Sequence, residues 1–226
     1  MSTSGHSSTF HEDVNSLNAK LINDIVAFWL GASINEPQAA FARRDWWYRG
    51  SERVDEEIRQ RFGGVVLQAC EGSLTHWETI PDGALALILL LDQFTRNLYR
   101  NTAKAYVGDE RAFKIVNWTL DQKLNHRLHP VPRIWLYHPF HHSEKLEDQD
   151  FGVGLLKDLE RTSTSIWRPY ILRSIEGWTR HRNIVARFGR FPHRNYVLNR
   201  TSTSDELEFL EKNGESYGQG PKKGSK

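Results

Sequence analysis

The sequence has a single cysteine, Cys70, which excludes an intrachain disulfide and any cysteine-rich metal site and fits a reducing compartment. It also lacks an excess of charge of either sign. Its 30 Lys and Arg against 28 Asp and Glu leave +2, too little to make nucleic acid an expected partner. Long apolar runs are missing as well. The longest, residues 84–91, stops at Asp92 and falls far short of the ~20 residues a membrane helix needs, so no membrane partner is expected. Residues 1–15 are polar where a signal peptide needs a basic start and an apolar run, and they read as a disordered lead of a cytoplasmic protein. No strand-like alternation lasts more than a few residues, and no repeat of fixed period stands out, which argues against a sheet and against a regular solenoid.

What is present is helical patterning and many aromatics. Eight Trp and 11 Phe promise a well-filled interior wherever helices pack. Leu17, Leu21, Ile25, Phe28 and Trp29 recur at helical spacing between a capping Ser16 and a stop at Gly31. Trp46 and Trp47 fall in a short segment before a stripe from Val54 to Ala69. Pro81-Asp82 opens a helix apolar nearly all round through Leu91, which belongs at the centre. Asp109 caps a helix through Leu124, and Pro130, Pro132 and Pro139 read as breaks. Helices then run from about Ser143 to Leu159 and about Pro169 to Phe188, with Gly189 after the second. Thr203 and Glu206 form a capping box for a last short helix. The expectation is one all-α domain over residues 16–213, of about seven to nine helices with no significant sheet, followed by a Gly, Lys and Ser-rich disordered tail at 214–226.

Chemistry concentrates in two polar segments, residues 91–100 and 139–200. Residues 177–200 hold six arginines (Arg180, Arg182, Arg187, Arg190, Arg194 and Arg200) with His181 and His193, and neither lysine nor acid. Arginine alone suggests planar two-pronged pairing with carboxylate or phosphate. One reading locks these arginines onto Asp92 and the acids Glu144, Glu147, Asp148 and Asp150 as packing devices. The other has more guanidinium groups converge than those acids can satisfy, leaving an anion site. His181 shares a helix face with Trp178 and Val185 and reads as a core histidine. His193 follows a helix stop, where it can face a cleft.

Adjacent side chains in His141-His142-Ser143-Glu144 point different ways, so this run is not its own catalytic triad, and its metal-ligand spacing is poor, so no metal site is expected. Asp92 and Arg96, four apart on the central helix, can pair, and their position directly after the apolar run points to a buried or cleft-lining end.

Taken together, Phe28-Trp29-Leu30-Gly31, residues 90–97, His142-Ser143-Glu144 with Gln149, and residues 187–195 resemble the bacterial family of domains of unknown function numbered 924, from about Asp24 to Leu210. The resemblance implies a TPR-like all-α array and carries no established activity or cofactor. The chain departs from the family pattern at Thr95 and Asn199, where proline and glycine are expected, and at Val107-Gly108; Asn199 can still take the left-handed backbone. On these motifs the candidate ligand-binding residues are Asp92, Gln93, Arg96, Asn97, Gln149, Arg187, Arg190, Arg194 and Asn195, and the candidate acid–base residues are His142, Glu144 and His193. The leading expectation is a pocket for a small anionic molecule. The alternatives are an enzyme in that pocket and a helical scaffold for a protein partner.

Overall fold

A computed structural model describes residues 6–49 and 51–213. Helix α1 (His6–Leu30) begins ahead of Ser16, so residues 6–15 of the expected lead are helical and Ser16 lies inside the helix; residues 1–5 and the expected tail lie outside the described residues. Next come α2 (Pro37–Tyr48), α3 (Glu52–Cys70) and α4 (Pro81–Ile88). A π-helical turn, Leu89–Phe94, joins α4 to the single turn α5 (Thr95–Leu98). The chain continues through α6 (Asp109–Asp121), α7 (Pro130–Leu136), α8 (His138–His142), α9 (Leu146–Thr162), α10 (Arg168–Phe188) and α11 (Ser204–Asn213). The fold is all-α, with no strand among the described residues. Eight of these helices (α1, α2, α3, α4, α6, α9, α10 and α11) are eight residues long or more.

Helix α4 and the π turn form the central element, buried at every position from Gly83 to Phe94. Helices α1, α6 and α7 pack around α4, and α3 covers the π turn and α5. Around them Phe28, Trp29, Phe62, Phe94 and Trp135 make edge-to-face and tilted ring contacts at 5.2–5.9 Å. Each large side chain fully buried in this way contributes roughly 1.5–3 kcal/mol.

Two sequence expectations are corrected by proline. Pro37 opens α2, which was read as a short segment, and Pro130 and Pro139 open α7 and α8 instead of merely breaking the chain. In the first helical turn the missing N–H has no partner to lose and the fixed φ suits the helix. Helix α8 is thus set directly after α7, which places His138 and His141 against Trp178 of α10 and His142 against Asp92 of the π turn. Helix α9 comes equally close, because Gly152 has no side chain where a Cβ would lie 2.8 Å from the Phe140 Cβ and 3.0 Å from the Trp178 ring.

Candidate functional site

The C-terminal end of α2, the turn α5, the short helix α8, the middle of α10 and the 3₁₀ turn Pro192–Arg194 surround a cavity of about 310 Å³, within the range of small-molecule sites. Its wall carries six arginines (Arg44, Arg96, Arg100, Arg173, Arg180, Arg194) and five histidines (His138, His141, His142, His181, His193), with Tyr48 and Tyr106 among the rest. Among the described residues no Asp, Glu or Lys lines it.

Three carboxylates lie just behind the wall: Asp55 holds Asn97 and Arg100, Asp109 holds Arg96, and Asp92 holds His142. Asp92 is fully buried in the π turn, a helix irregularity that recurs at functional sites. Its Oδ1 and Oδ2 lie 2.7 and 2.9 Å from Nδ1 of His142. Gln93 donates to Oδ2, and Arg96 Nη1 sits 3.2 Å from Oδ1 while donating to the Asp92 carbonyl at 2.6 Å. Arg96 is also held in a two-pronged pair with Asp109 at 2.8 and 3.0 Å. An ionised carboxylate only accepts, so Asp92 fixes the proton of His142 on Nδ1 and leaves Nε2 with its lone pair. No protein group among the described residues takes that nitrogen. Burial, with Arg96, His138 and Arg194 nearby, holds the ring well below the usual imidazole value.

The other histidines form a stacked row. His138 lies flat on Trp135 (4.2 Å, 3°) and donates from Nδ1 to the Ile134 carbonyl at 2.9 Å. His141 stacks on Trp178 (4.6 Å) and lies 3.9 Å from the His181 ring, which in turn packs on Phe191. His181, read from the sequence as a core residue, therefore both packs and lines the cavity. Burial pushes His138 and His181 down to about 4 and holds His141 and His193 well below the usual value, so the row is neutral near pH 7.

Arg194 contrasts with this neutral row. It is 6% exposed, packs over Phe191 and Tyr106 at 4.5 and 4.8 Å, and donates from Nη2 to the His142 carbonyl at 3.0 Å. It has no ion pair with a carboxylate among the described residues, and its buried Nε has no partner. Burial and the neighbouring Arg96 lower its pKa, though a guanidinium keeps its charge in proteins. Tyr106 is flanked by Arg96 at 5.3 Å and Arg194 at 4.8 Å. Its buried hydroxyl has no partner, and burial raises its pKa.

Of the sequence candidates, Gln93, Arg96, Asn97, His142, His193 and Arg194 line the cavity, and Asp92 supports it from behind. The remaining five do not line it. Glu144 accepts from the Phe191 amide (2.8 Å) and pairs with Arg200 (2.6 Å), and so fastens the turn that presents His193 and Arg194. Gln149 ties the His141 and Ser143 carbonyls at 2.7 Å each, closing the end of α8. Asn195 bonds Ser202, Glu206 and Arg200. Arg190 forms a two-pronged pair with buried Glu206, and Arg187 packs on Phe188 and Phe209. Glu206, whose spacing from Thr203 marks a helix cap, also holds Arg190, and Arg182 takes Asp150. Arg100, at the end of the polar segment 91–100, lines the cavity too. Arg44, Arg173 and Tyr106 lie on separate elements, and no local spacing in the sequence marks them.

Among the described residues no three His, Cys, Asp or Glu side chains are grouped to hold a metal ion, and no helix is long and apolar enough to cross a membrane. No curated protein matches the chain. A solved structure of a protein of unknown function, ATU0120 from Agrobacterium tumefaciens, is similar with 31% identity and a TM-score of 0.72, over 86% of this chain and 98% of that one. The family model described as bacterial protein of unknown function (DUF924) matches residues 25–214, and the chain belongs to that family.

Proposed function

We propose that the cavity binds a small anionic molecule, a phosphate or carboxylate compound, with Arg194 as its principal contact. The observation that carries this reading is Arg194 itself, a buried guanidinium with an unfilled Nε and no carboxylate, in a wall without acids. A buried cation that no carboxylate meets directly is costly; Asp109 and Glu144 act on Arg194 only from a distance, and a ligand anion in the cavity supplies the direct counter-charge. The neutral histidines add hydrogen bonds without adding charge.

The test is thermal unfolding of the parent, Arg194→Gln and the surface control Arg182→Gln with phosphate and small carboxylates at constant ionic strength. Ligand at about 100 times its Kd adds about 2.7 kcal/mol of stability. A saturable shift in the parent and the control that is absent from Arg194→Gln is expected. Identical responses in all three would reduce the effect to exclusion of salt from the surface and overturn the reading.

The scaffold alternative, a TPR-like array with a protein partner in an exposed groove, draws less support, because the polar groups converge on a cavity instead of spreading along a surface. A cytoplasmic location belongs to the same proposal and is supported by the half-buried lone thiol of Cys70.

A further inference from the structure

We propose that the cavity hydrolyses small phosphoric monoesters, with His142 Nε2 taking a proton from the attacking water and Tyr106 giving one to the leaving oxygen. The inference rests on the anion-binding reading and goes beyond it by assigning a reaction.

Three observations lead there. First, buried Asp92 holds His142 through Nδ1 at 2.7 Å, which orients the ring, fixes its tautomer and stabilises the imidazolium formed when Nε2 accepts a proton. A histidine serving only to pack has no need of a buried carboxylate on one nitrogen and an unfilled lone pair on the other. Second, the wall offers little that can form a covalent intermediate through oxygen, sulfur or amine. Among the described residues it has no Lys, Cys, Asp or Glu, and its one aliphatic hydroxyl, Ser174, donates to the Tyr170 carbonyl at 3.0 Å. Imidazole and phenol groups are what remain on the wall, and with His142 acting as the base the attacking group is water. Third, Tyr106 lines the cavity between two guanidinium groups, and its hydroxyl, buried without a partner, meets the leaving oxygen once the side chain turns toward the cavity. Burial keeps it protonated until it donates, and Arg96 and Arg194 stabilise the phenolate left behind.

The substrate class follows from charge. A phosphoryl dianion presents several acceptor oxygens, which matches an acid-free wall with a donor-rich, unpaired Arg194. In the step, the water oxygen bonds to phosphorus as one water proton passes to Nε2. The phosphorus–oxygen ester bond breaks, and the leaving oxygen keeps the electron pair and takes the Tyr106 proton. The imidazolium proton then returns to the phenolate through solvent, so ester and water become alcohol and phosphate.

The groups facing His142 are Asp92 and Arg96 from the central element, Asp109 behind Arg96, His138 and His141 from α8, His181 from α10, and Arg194 from the 3₁₀ turn. Because burial and the surrounding cations hold His142 low, kcat/KM is expected to stay on its plateau down past the ordinary imidazole range near 6.5.

The experiment measures phosphate release by the full chain from 4-nitrophenyl phosphate and a panel of small sugar and alcohol phosphates, with a chelator present. Turnover by the parent and by Arg182→Gln is expected. His142→Asn should fall about 10²–10⁴-fold. Tyr106→Phe, which keeps the ring packing, should lose kcat with little change in KM. Turnover by none of the panel while phosphate still shifts the melting temperature overturns the reaction and leaves the binding site standing; loss of both overturns both. Turnover unchanged in a folded His142→Asn also overturns the mechanism, as does phosphate trapped covalently on His142 in intact-mass spectra.

Discussion

Arg190 and Arg194 sit four residues apart in an unbroken basic run, yet their surroundings oppose one another. Arg190 is partly exposed, but it clamps Glu206, which is 2% exposed. That pairing, helped by the Thr203 amide and Asn195, pulls the Glu206 carboxyl down to about 2. Replacing Arg190 with Ala strands a buried carboxylate and should lower the urea midpoint, with no effect on the response to phosphate. A carboxyl whose pKa is depressed by folding adds stability above its unfolded value and loses it as pH falls. The deficit of Arg190→Ala should therefore shrink between about pH 4.5 and 2. Arg194→Gln removes a buried cation that no carboxylate meets in a direct ion pair, so it should leave stability within about 1 kcal/mol of the parent or raise it, while abolishing the phosphate response. Losses of equal size in both variants would make Arg194 a structural partner too.

At the scale of elements, the cavity depends on how closely α9 approaches α8 and α10, and Gly152 sets that approach. A Cβ there meets Phe140 and Trp178 inside normal contact distance. Gly152→Ala should therefore destabilise the fold by about 1–3 kcal/mol and loosen the stack of His141 on Trp178, read as a change in near-ultraviolet circular dichroism; an unchanged spectrum and midpoint would show that the helices give way easily. Elements defined by local chemistry were legible in the sequence. Thr203 and Glu206 exchange the reciprocal bonds of a capping box (2.8 and 3.3 Å), Gly189 takes the left-handed stop at φ +68°, and Asn199 takes φ +53° where glycine was expected. Asp92 was also readable, as an acid set against a run of eight apolar residues. Elements defined by tertiary context were not. Helices α7 and α8 are too short to show a period, and their prolines look like breaks until neighbours make them starts. The division of the basic run into ion pairs and cavity wall depends on Asp150, Glu144 and Glu206, acids between 11 and 56 residues away from their partners or the bonds they share. Spacing along one helix carries no information about them.

For the molecule as a whole, near-neutral net charge conceals an uneven layout, with cationic and neutral nitrogen groups gathered at one cavity and acids kept behind or outside it. Such a cavity attracts anions without making the surface basic. It also ties folding to pH through the histidine row. Burial lowers His138 and His181 to about 4 and holds His141, His142 and His193 well below the usual value. The unfolded chain, with imidazoles near 6.5, then binds more protons than the native one at mildly acid pH. Stability is accordingly full above about pH 6.5 and falls as pH drops, by about 1.4 kcal/mol per unit for each histidine that titrates only on unfolding. His138 and His181 alone give about 2.8 kcal/mol per unit down to about pH 4, a large share of the roughly 5–15 kcal/mol that holds a domain together. Acid unfolding is therefore expected to begin well above the range in which Glu144 and Glu206, held low by their arginine and backbone donors, are protonated. The check is the urea midpoint measured from pH 8 to pH 4 with proton uptake on unfolding. Uptake of two or more protons near pH 5, reduced in His138→Phe, is the expected outcome. A midpoint constant from pH 7 to pH 5 would mean that the row accepts protons in the native state and is not held neutral by burial.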